Sequence, residues 1–303
     1  MISIIIPVRN GGGPFGRLLE AVAAQDLDAE IELVVVDSGS SDGSVQLARS
    51  HNARVQEIAH EQFGHGSARN LGASLAHGDP LVFLSQDAVP ASGDWLHSLT
   101  APLEDRTVAG VYGRQLAADS APPAERFFLD FLYGPHPRRQ SVSSPAELSM
   151  ETALFSNVNS AIRRSAWERH RFAEDLVMAE DGDWARRVLL EGHALVYEPR
   201  AAVHHSHRYS LRSAFGRFFD SGAAAERNYL AGAEASTRVL RRRAFDYARG
   251  ELRWLIRSGY ARAIPYTFTY ELAKFAGLQA GVRHHWLPSR VKRRLSAHPD
   301  FWR

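Results

Sequence analysis

The sequence has no cysteine and only three methionines. Without thiols there is no disulfide and no thiolate metal site, so any metal must bind through oxygen or imidazole. Long apolar runs are missing too. No stretch approaches the roughly 18 apolar residues that a membrane-spanning helix needs. The opening segment, MISIIIPVRN, has no basic residue ahead of its short apolar run, so a secretory signal is not expected. Internal repeats and low-complexity tracts are also lacking. Together these absences lead us to expect a cytoplasmic protein.

What is present is a globular composition of 303 residues, 45% hydrophobic and 23% charged. That suffices for one large domain or a domain with an appendage. The net charge of +2 hides an asymmetry. Residues 1–207 hold 17 Lys and Arg against 27 Asp and Glu, whereas residues 208–303 hold 19 against 7. An acidic body and a basic tail are expected to meet different partners.

Strand-like and helix-like patterns alternate through the first hundred residues. Residues 3–8, 31–36, 53–58 and 80–84 read as short strands, and the continuous apolar run at 31–36 suits a strand buried on both faces. Residues 15–24 place Phe15, Leu18, Leu19 and Val22 at helical spacing, and 44–50 and 67–76 also read as helices. This alternation predicts an α/β sheet, largely parallel. Further on, 108–112, 155–162, 195–197 and 201–205 read as strands, and 125–132 and 180–191 as helices. The tail reads as helical to its end.

Four places carry side chains suited to chemistry. Asp37 ends a buried strand, where open α/β sheets bind ligands, and can accept hydrogen bonds from a base or ribose. Asp42 follows in the turn, and can serve either as a ligand contact or as the cap of the next helix. Asp87 also ends an apolar strand and is placed to hold a hard cation through oxygen, or to shape a turn. Glu180, Asp181 and Asp183 open a helix, where acids favour the dipole but where one carboxylate can also act as a general base. His205 and His207 alternate past a strand and can share a face, and imidazole suits a divalent metal.

In order along the chain, Pro7-Val8-Arg9-Asn10, Asp37-Ser38-Gly39-Ser40-Ser41-Asp42, Ala68-Arg69-Asn70-Leu71-Gly72, Phe83-Leu84-Ser85-Gln86-Asp87, the pair Glu180-Asp181 and then His205 resemble glycosyltransferase family 2 over residues 1 to about 210. Within it, the Phe63–Ala73 stretch, Val111-Tyr112-Gly113-Arg114-Gln115 and Ser156–Arg164 look most like bacterial rhamnosyltransferases of polysaccharide assembly. The resemblance implies a GT-A fold, with a mostly parallel sheet flanked by helices, as a catalytic domain over 1–207. A basic, aromatic-rich helical extension would follow over 208–303.

The same resemblance implies roles. Asp37 binds the base, Arg69 faces the diphosphate or ribose, and Pro7, Arg9, Asp42 and Gln86 join them around a nucleotide-sugar donor. Asp87 matches the last Asp of the family's Asp-X-Asp motif. His205 matches the histidine that completes a site for Mg²⁺ or Mn²⁺. The first Asp of that motif is Ser85 here, which supplies no charge, while Gln86-Asp87 is typical of the rhamnosyl subgroup. Asp181 matches the catalytic base, with Glu180 beside it, and Asn157, Asn159 and Trp184 are the expected acceptor contacts. One base with no opposed nucleophile implies a single inverting displacement. The implied donor is dTDP-L-rhamnose, or failing that another UDP- or GDP-sugar, and the implied acceptor is a saccharide or a polyprenyl-diphosphate-linked glycan.

The basic tail, with Arg241 to Arg243, Arg290 and Lys292 to Arg294 among aromatics such as Trp254 and Trp286, predicts peripheral contact with the inner face of the cell membrane. A nucleic-acid-binding protein is the non-enzyme alternative, but no recognised nucleic-acid motif accompanies the charge, so no nucleic acid is expected. A nucleotidyltransferase would carry a basic, Gly-rich loop after the first strand, which Gly11-Gly12-Gly13-Pro14 does not supply.

Overall fold

A computed structural model describes residues 1–225 and 234–302, with side chains left undescribed at 234–241 and 243. In chain order the elements are β1 (Ile2–Val8), α1 (Gly12–Ala23), β2 (Ile31–Asp37), α2 (Ser44–Ser50), β3 (Arg54–Glu57), α3 (His65–Leu75), β4 (Leu81–Leu84), β5 (Val89–Pro90), α4 (Trp95–Thr100) and β6 (Val108–Leu116). Next come α5 (Pro123–Leu132), β7 (Arg138–Gln140), β8 (Asn159–Ile162), α6 (Arg164–Arg169), α7 (Glu180–Leu190) and β9 (Ala194–His204). The chain continues with α8 (Leu211–Ala225), α9 (Glu234–Arg257), α10 (Ile264–Val282) and α11 (Ser289–Leu295).

The chain divides into two compact units. The first comprises Met1–Ala118, Tyr133–Asp175 and Glu180–His205, and the second Asp119–Leu132, Leu176–Ala179 and Ser206–Arg303. The second unit is therefore discontinuous in sequence. It gathers α5 with the tail helices, a grouping that a single cut of the chain does not contain.

Among the described residues, all nine strands belong to the first unit and form one sheet in the order β3-β2-β1-β4-β8-β6-β9-β5, with β7 paired to β9. The four N-terminal strands run parallel, as the alternation predicts. β8 enters antiparallel between β4 and β6, and β6 and β9 pair in parallel. The apolar runs are buried for the expected reason. Ile4 and Ile6 of β1, Val35 of β2, and Val82 and Leu84 of β4 share one core with Leu18 and Leu19 of α1 and Trp95 of α4.

Three expectations change in detail. The apolar stretch 155–162 becomes a strand only from Asn159, because the Asn159 amide bonds the Ser156 carbonyl in a turn and the Asn157 amide is taken by a side chain. The separate strands expected at 195–197 and 201–205 are one strand, β9, interrupted by Pro199. Gly113 of β6 pairs with Glu198, and Gln115, only two residues later, pairs with Val203. β9 thus bulges between 198 and 203, which accommodates a proline that cannot donate to the ladder. The short elements β5, α4, β7 and α6 carry too little periodicity to be read in advance.

The second unit is helical. One cluster packs Val177, Phe219, Ala223 and Trp302 together, and another packs Ala124, Ala214 and Tyr270.

Gly113 marks the tightest point of the β6–β9 pair. A Cβ there would lie 1.9 Å from the Ala201 carbonyl oxygen and 2.3 Å from Asn159 Nδ2. We expect Gly113→Ala to destabilise the protein by about 3 kcal/mol, the upper end for an overpacked site. Urea unfolding checks this, and an unchanged midpoint contradicts it.

Candidate active site

Three of the chemistry-bearing loops sit at the ends of β1, β2 and β4. Asp37, at the end of β2, is almost fully buried. Its Oδ1 accepts the Gly39 and Ser40 amides at 3.0 and 2.9 Å. Its Oδ2 is buried with no hydrogen-bond partner. A buried acceptor left open at a strand end is an unmet demand for a donor group. Asp42 behaves differently. Its Oδ2 accepts the Gly12 amide at 2.9 Å, and its Oδ1 accepts the Ser44 hydroxyl and amide at 2.6 and 3.1 Å. Both oxygens tie α1 to the start of α2, where Gly43 rather than Asp42 holds the cap position. These bonds, the Ser44 hydroxyl first, hold its carboxyl below the usual range.

Arg9 and Gln86 join two of these loops. The Arg9 amide donates to Gln86 Oε1 at 2.7 Å, and Gln86 Nε2 returns a bond to the Arg9 carbonyl at 3.2 Å. The Arg9 guanidinium meets His60 Nε2 at 2.8 Å. Pro7 is half-buried within β1, in register with Val36 of β2.

In the loop after β4, Asp87 Oδ1 lies 3.5 Å from Nε2 of His205, which follows β9. That is long for a direct hydrogen bond and suits two ligands of one cation, which sit about 2.0–2.2 Å from the ion each. The opposite ring nitrogen, His205 Nδ1, faces Gln115 Oε1 at 2.9 Å, and Gln115 Nε2 donates to Ser156 Oγ at 3.1 Å. Gln115 offers its oxygen to the ring, so Nδ1 carries the proton and Nε2 presents its lone pair toward Asp87. The donor set, one carboxylate and one imidazole oriented by a second residue, fits Mg²⁺ or Mn²⁺. Gln115 was visible in sequence only as part of a motif; its role comes from the register that sets β6 beside the end of β9.

The third group lies where α7 begins. Arg69 of α3 donates to Glu180 Oε1 at 2.8 Å, and both side chains are nearly inaccessible. Asn157 Nδ2 reaches the same oxygen at 3.5 Å. Arg69, expected to face a diphosphate or ribose, here binds a carboxylate instead. Burial is the largest influence and pushes the Glu180 carboxyl up, but the charges of Arg69 and His65, with hydrogen bonds from the backbone and Asn157, together outweigh it and the net shift is downward. Asp181 has no such cation of its own. Its Oδ2 accepts the Asn157 amide at 3.1 Å and its Oδ1 the Gly182 amide at 2.8 Å. Burial, and then the charge of Glu180, push its carboxyl up to about 6. Two adjacent carboxylates are thus driven apart, one fixed as an anion and one poised to exchange a proton near neutrality. Asp181 stays partly exposed.

The expected acceptor contacts sit deeper than a substrate could reach. Asn157 and Asn159 are fully buried. Asn157 positions Glu180 and Asp181. Asn159 accepts from Trp95 Nε1 and donates to the Ala201 carbonyl. Trp184, also fully buried, packs against Phe155 and Phe172 because α7 turns this side toward the sheet.

In the second unit, a cavity of about 260 Å³ is lined by Pro123, Glu125, His207, Tyr209, Tyr266 and Tyr270. Burial pushes the Glu125 carboxyl up. In the basic tail, Trp254 is half-buried and stacks on Tyr260, whereas Trp286 stands in solvent. Of the cluster at 241–243, the side chains of Arg241 and Arg243 lie outside the described residues, and Arg242 is exposed.

Comparisons with known proteins agree on one identity. The family described as Glycosyl transferase family 2 matches residues 3–171. The O-antigen chain rhamnosyltransferase RfbN of Salmonella typhimurium is 32% identical, over 99% of this chain and 96% of its own. WbaN of Salmonella anatum, also an O-antigen chain rhamnosyltransferase, is 29% identical over 99% and 95%. Among solved structures, the mannosyltransferase PcManGT of Pyrobaculum calidifontis, in complex with GDP-Man and Mn²⁺, superposes with a TM-score of 0.63 at 21% identity, covering 94% of this chain and 87% of its own. TarS 1-349 of S. aureus, with UDP-GlcNAc, gives 0.58 at 17%, covering 97% and 83%. These likenesses carry the fold, a GT-A arrangement.

The raised Asp181 carboxyl has a cost in stability. Ionising it is harder in the folded protein than in the unfolded chain, so stability falls as pH rises from the unfolded value near about 4 to the folded value, about 6. The cost is absent at lower pH and fully present above that window. We therefore expect Asp181→Asn to raise Tm by a few degrees at pH 8, with about half of the gap left at pH 5 and little below about pH 4. Thermal unfolding at both pH values checks it, and a lower Tm for the variant at pH 8 contradicts it.

Proposed function

The chain belongs to glycosyltransferase family 2, and from that premise we propose that it transfers L-rhamnose from dTDP-L-rhamnose, with inversion, to a hydroxyl of a saccharide or lipid-linked acceptor in surface polysaccharide synthesis. The reaction reading rests on the contrast between Glu180 and Asp181, adjacent carboxylates with opposite shifts. The donor reading is supported by full-length similarity to two proteins described as rhamnosyltransferases.

In this reading the donor nucleotide lies across the ends of β1, β2 and β4. The open Oδ2 of Asp37 accepts from the base, and the Arg9–Gln86 clasp holds the two neighbouring loops at fixed spacing. Asp87 and His205 would hold a divalent cation, Mg²⁺ or Mn²⁺, which would supply Lewis-acid stabilisation of the departing diphosphate. Gln115 keeps the His205 lone pair directed at that place. Asp181 takes the acceptor hydroxyl's proton as the new bond forms, and Glu180, locked to Arg69, stays ionised throughout. No second carboxylate is assigned to the opposite face of the sugar, which favours a single displacement. The basic tail holds the enzyme at the inner surface of the cell membrane, where a lipid-linked acceptor would be found.

We expect Asp181→Asn to lower turnover by roughly 10²–10⁴-fold, the usual contribution of a general base, while donor binding stays within about twofold. Excess chelator should abolish turnover, and Mn²⁺ or Mg²⁺ should restore it. Turnover with dTDP-L-rhamnose, UDP-hexoses and GDP-mannose, set beside calorimetric donor binding, tests these points together. A variant keeping most of its rate removes Asp181 as the base. Activity indifferent to chelator removes the metal, and faster turnover with a uridine or guanosine donor removes the rhamnose reading.

A further inference from the structure

Helix α10 is built the wrong way round for water. Its inward face carries Thr267, Tyr270, Lys274, Gly277 and Gly281. Its outward face carries Phe268, Leu272 and Phe275, with Phe268 71% exposed. The two charged residues of the helix, Glu271 and Lys274, do not stand in solvent; they bond each other at 2.7 Å. The Lys274 ammonium lies 4.6 Å from the ring of Phe128 and 4.9 Å from that of Phe218. A helix on a water-soluble surface places its charges outward and its large apolar side chains inward.

The packing partner of α10 is α8, and the contact is made by small residues. A Cβ on Gly277 would lie 2.3 Å from the Phe215 carbonyl oxygen, and one on Gly281 2.0 Å from that of Phe219. Small residues toward the partner helix and large apolar residues away from it is the arrangement that helices adopt in lipid. Yet no helix among the described residues is long and apolar enough to cross a membrane.

Charge says what covers the face. The exposed arginines Arg262 and Arg283 bracket the helix, and Trp286, 73% exposed, follows it. Basic ends, an aromatic at the boundary and an uncharged face between them complement an anionic lipid headgroup layer over an acyl region. We infer that the outward face of α10 is the surface by which this protein lies in an anionic bilayer interface, parallel to it. The inference rests on the membrane contact proposed above and moves its main attachment from the basic clusters to Phe268, Leu272 and Phe275.

Co-sedimentation of the full-length protein with phosphatidylcholine vesicles, with and without phosphatidylglycerol, tests it. The proteins compared are the wild type, the triple variant Phe268→Ser, Leu272→Ser, Phe275→Ser, and a variant with Arg290, Lys292, Arg293 and Arg294 changed to Ser. Release of nucleotide from the sugar donor is measured alongside, so that loss of the transferase reading and loss of this one are told apart. Because the chain has no cysteine, Phe268→Cys also gives one labelling site for an environment-sensitive fluorophore, with Glu168→Cys on α6 as control. This second route remains open if the triple variant does not fold.

The expected result is wild-type binding that rises with phosphatidylglycerol and falls roughly tenfold or more in the triple variant, with nucleotide release unchanged. The label at 268 should shift to the blue on vesicles and the label at 168 should not. Equal binding by the triple variant, loss confined to the basic variant, or an unshifted label at 268 overturns the proposal. So does a concentration-dependent dimer that the triple variant abolishes, since a second copy would then own the face.

Discussion

The buried ion pair between Arg69 and Glu180 is the contact on which the rest of this site depends. It joins α3 to the first turn of α7 across 111 residues of sequence. Removing two charges from water is expensive, and the pair is tolerated because each compensates the other, with Asn157 adding a bond. Taking away one partner typically costs about 3–5 kcal/mol, since a buried charge is then left alone. What the pair yields is a difference between neighbours. Glu180 has its counter-charge and Asp181 does not, so the proton-exchanging group is the one that remains accessible.

A second constraint sits on the other edge. β6 and β9 approach so closely at Gly113 that only a hydrogen fits, and β9 bulges past Pro199 before pairing resumes at Gln115. That local break sets Gln115 beside His205 rather than beside solvent. The imidazole is thereby held from behind, with its other nitrogen toward Asp87. The geometry of the Asp87–His205 pair depends on backbone register as much as on the side chains themselves.

Much of this was legible in the chain. The alternation of short apolar runs and helical spacing announced the parallel half of the sheet, and Asp37 and Asp87 stand at strand ends as read. The misreadings have physical causes. Arg69 looked like a phosphate ligand because sequence shows a cation but not its partner, which is 111 positions away. Asn159 and Trp184 looked like substrate contacts because polarity and size do not reveal which face of an element meets the core. Conversely, α10 gave no amphipathic signal in sequence, since it is apolar on one face and small on the other. Only burial distinguishes those faces.

The central claim is that burial, reinforced by the charge of Glu180, raises the proton affinity of Asp181. The pH dependence of kcat/KM for the wild type and for Glu180→Gln tests it most directly. Wild-type activity should rise with pH through about 6, where Asp181 loses its proton. In Glu180→Gln the neighbouring negative charge is gone and Arg69 is left without its carboxylate, both of which favour ionised Asp181. The acid limb should therefore move to lower pH. A limb that stays in place, or moves upward, would contradict the account.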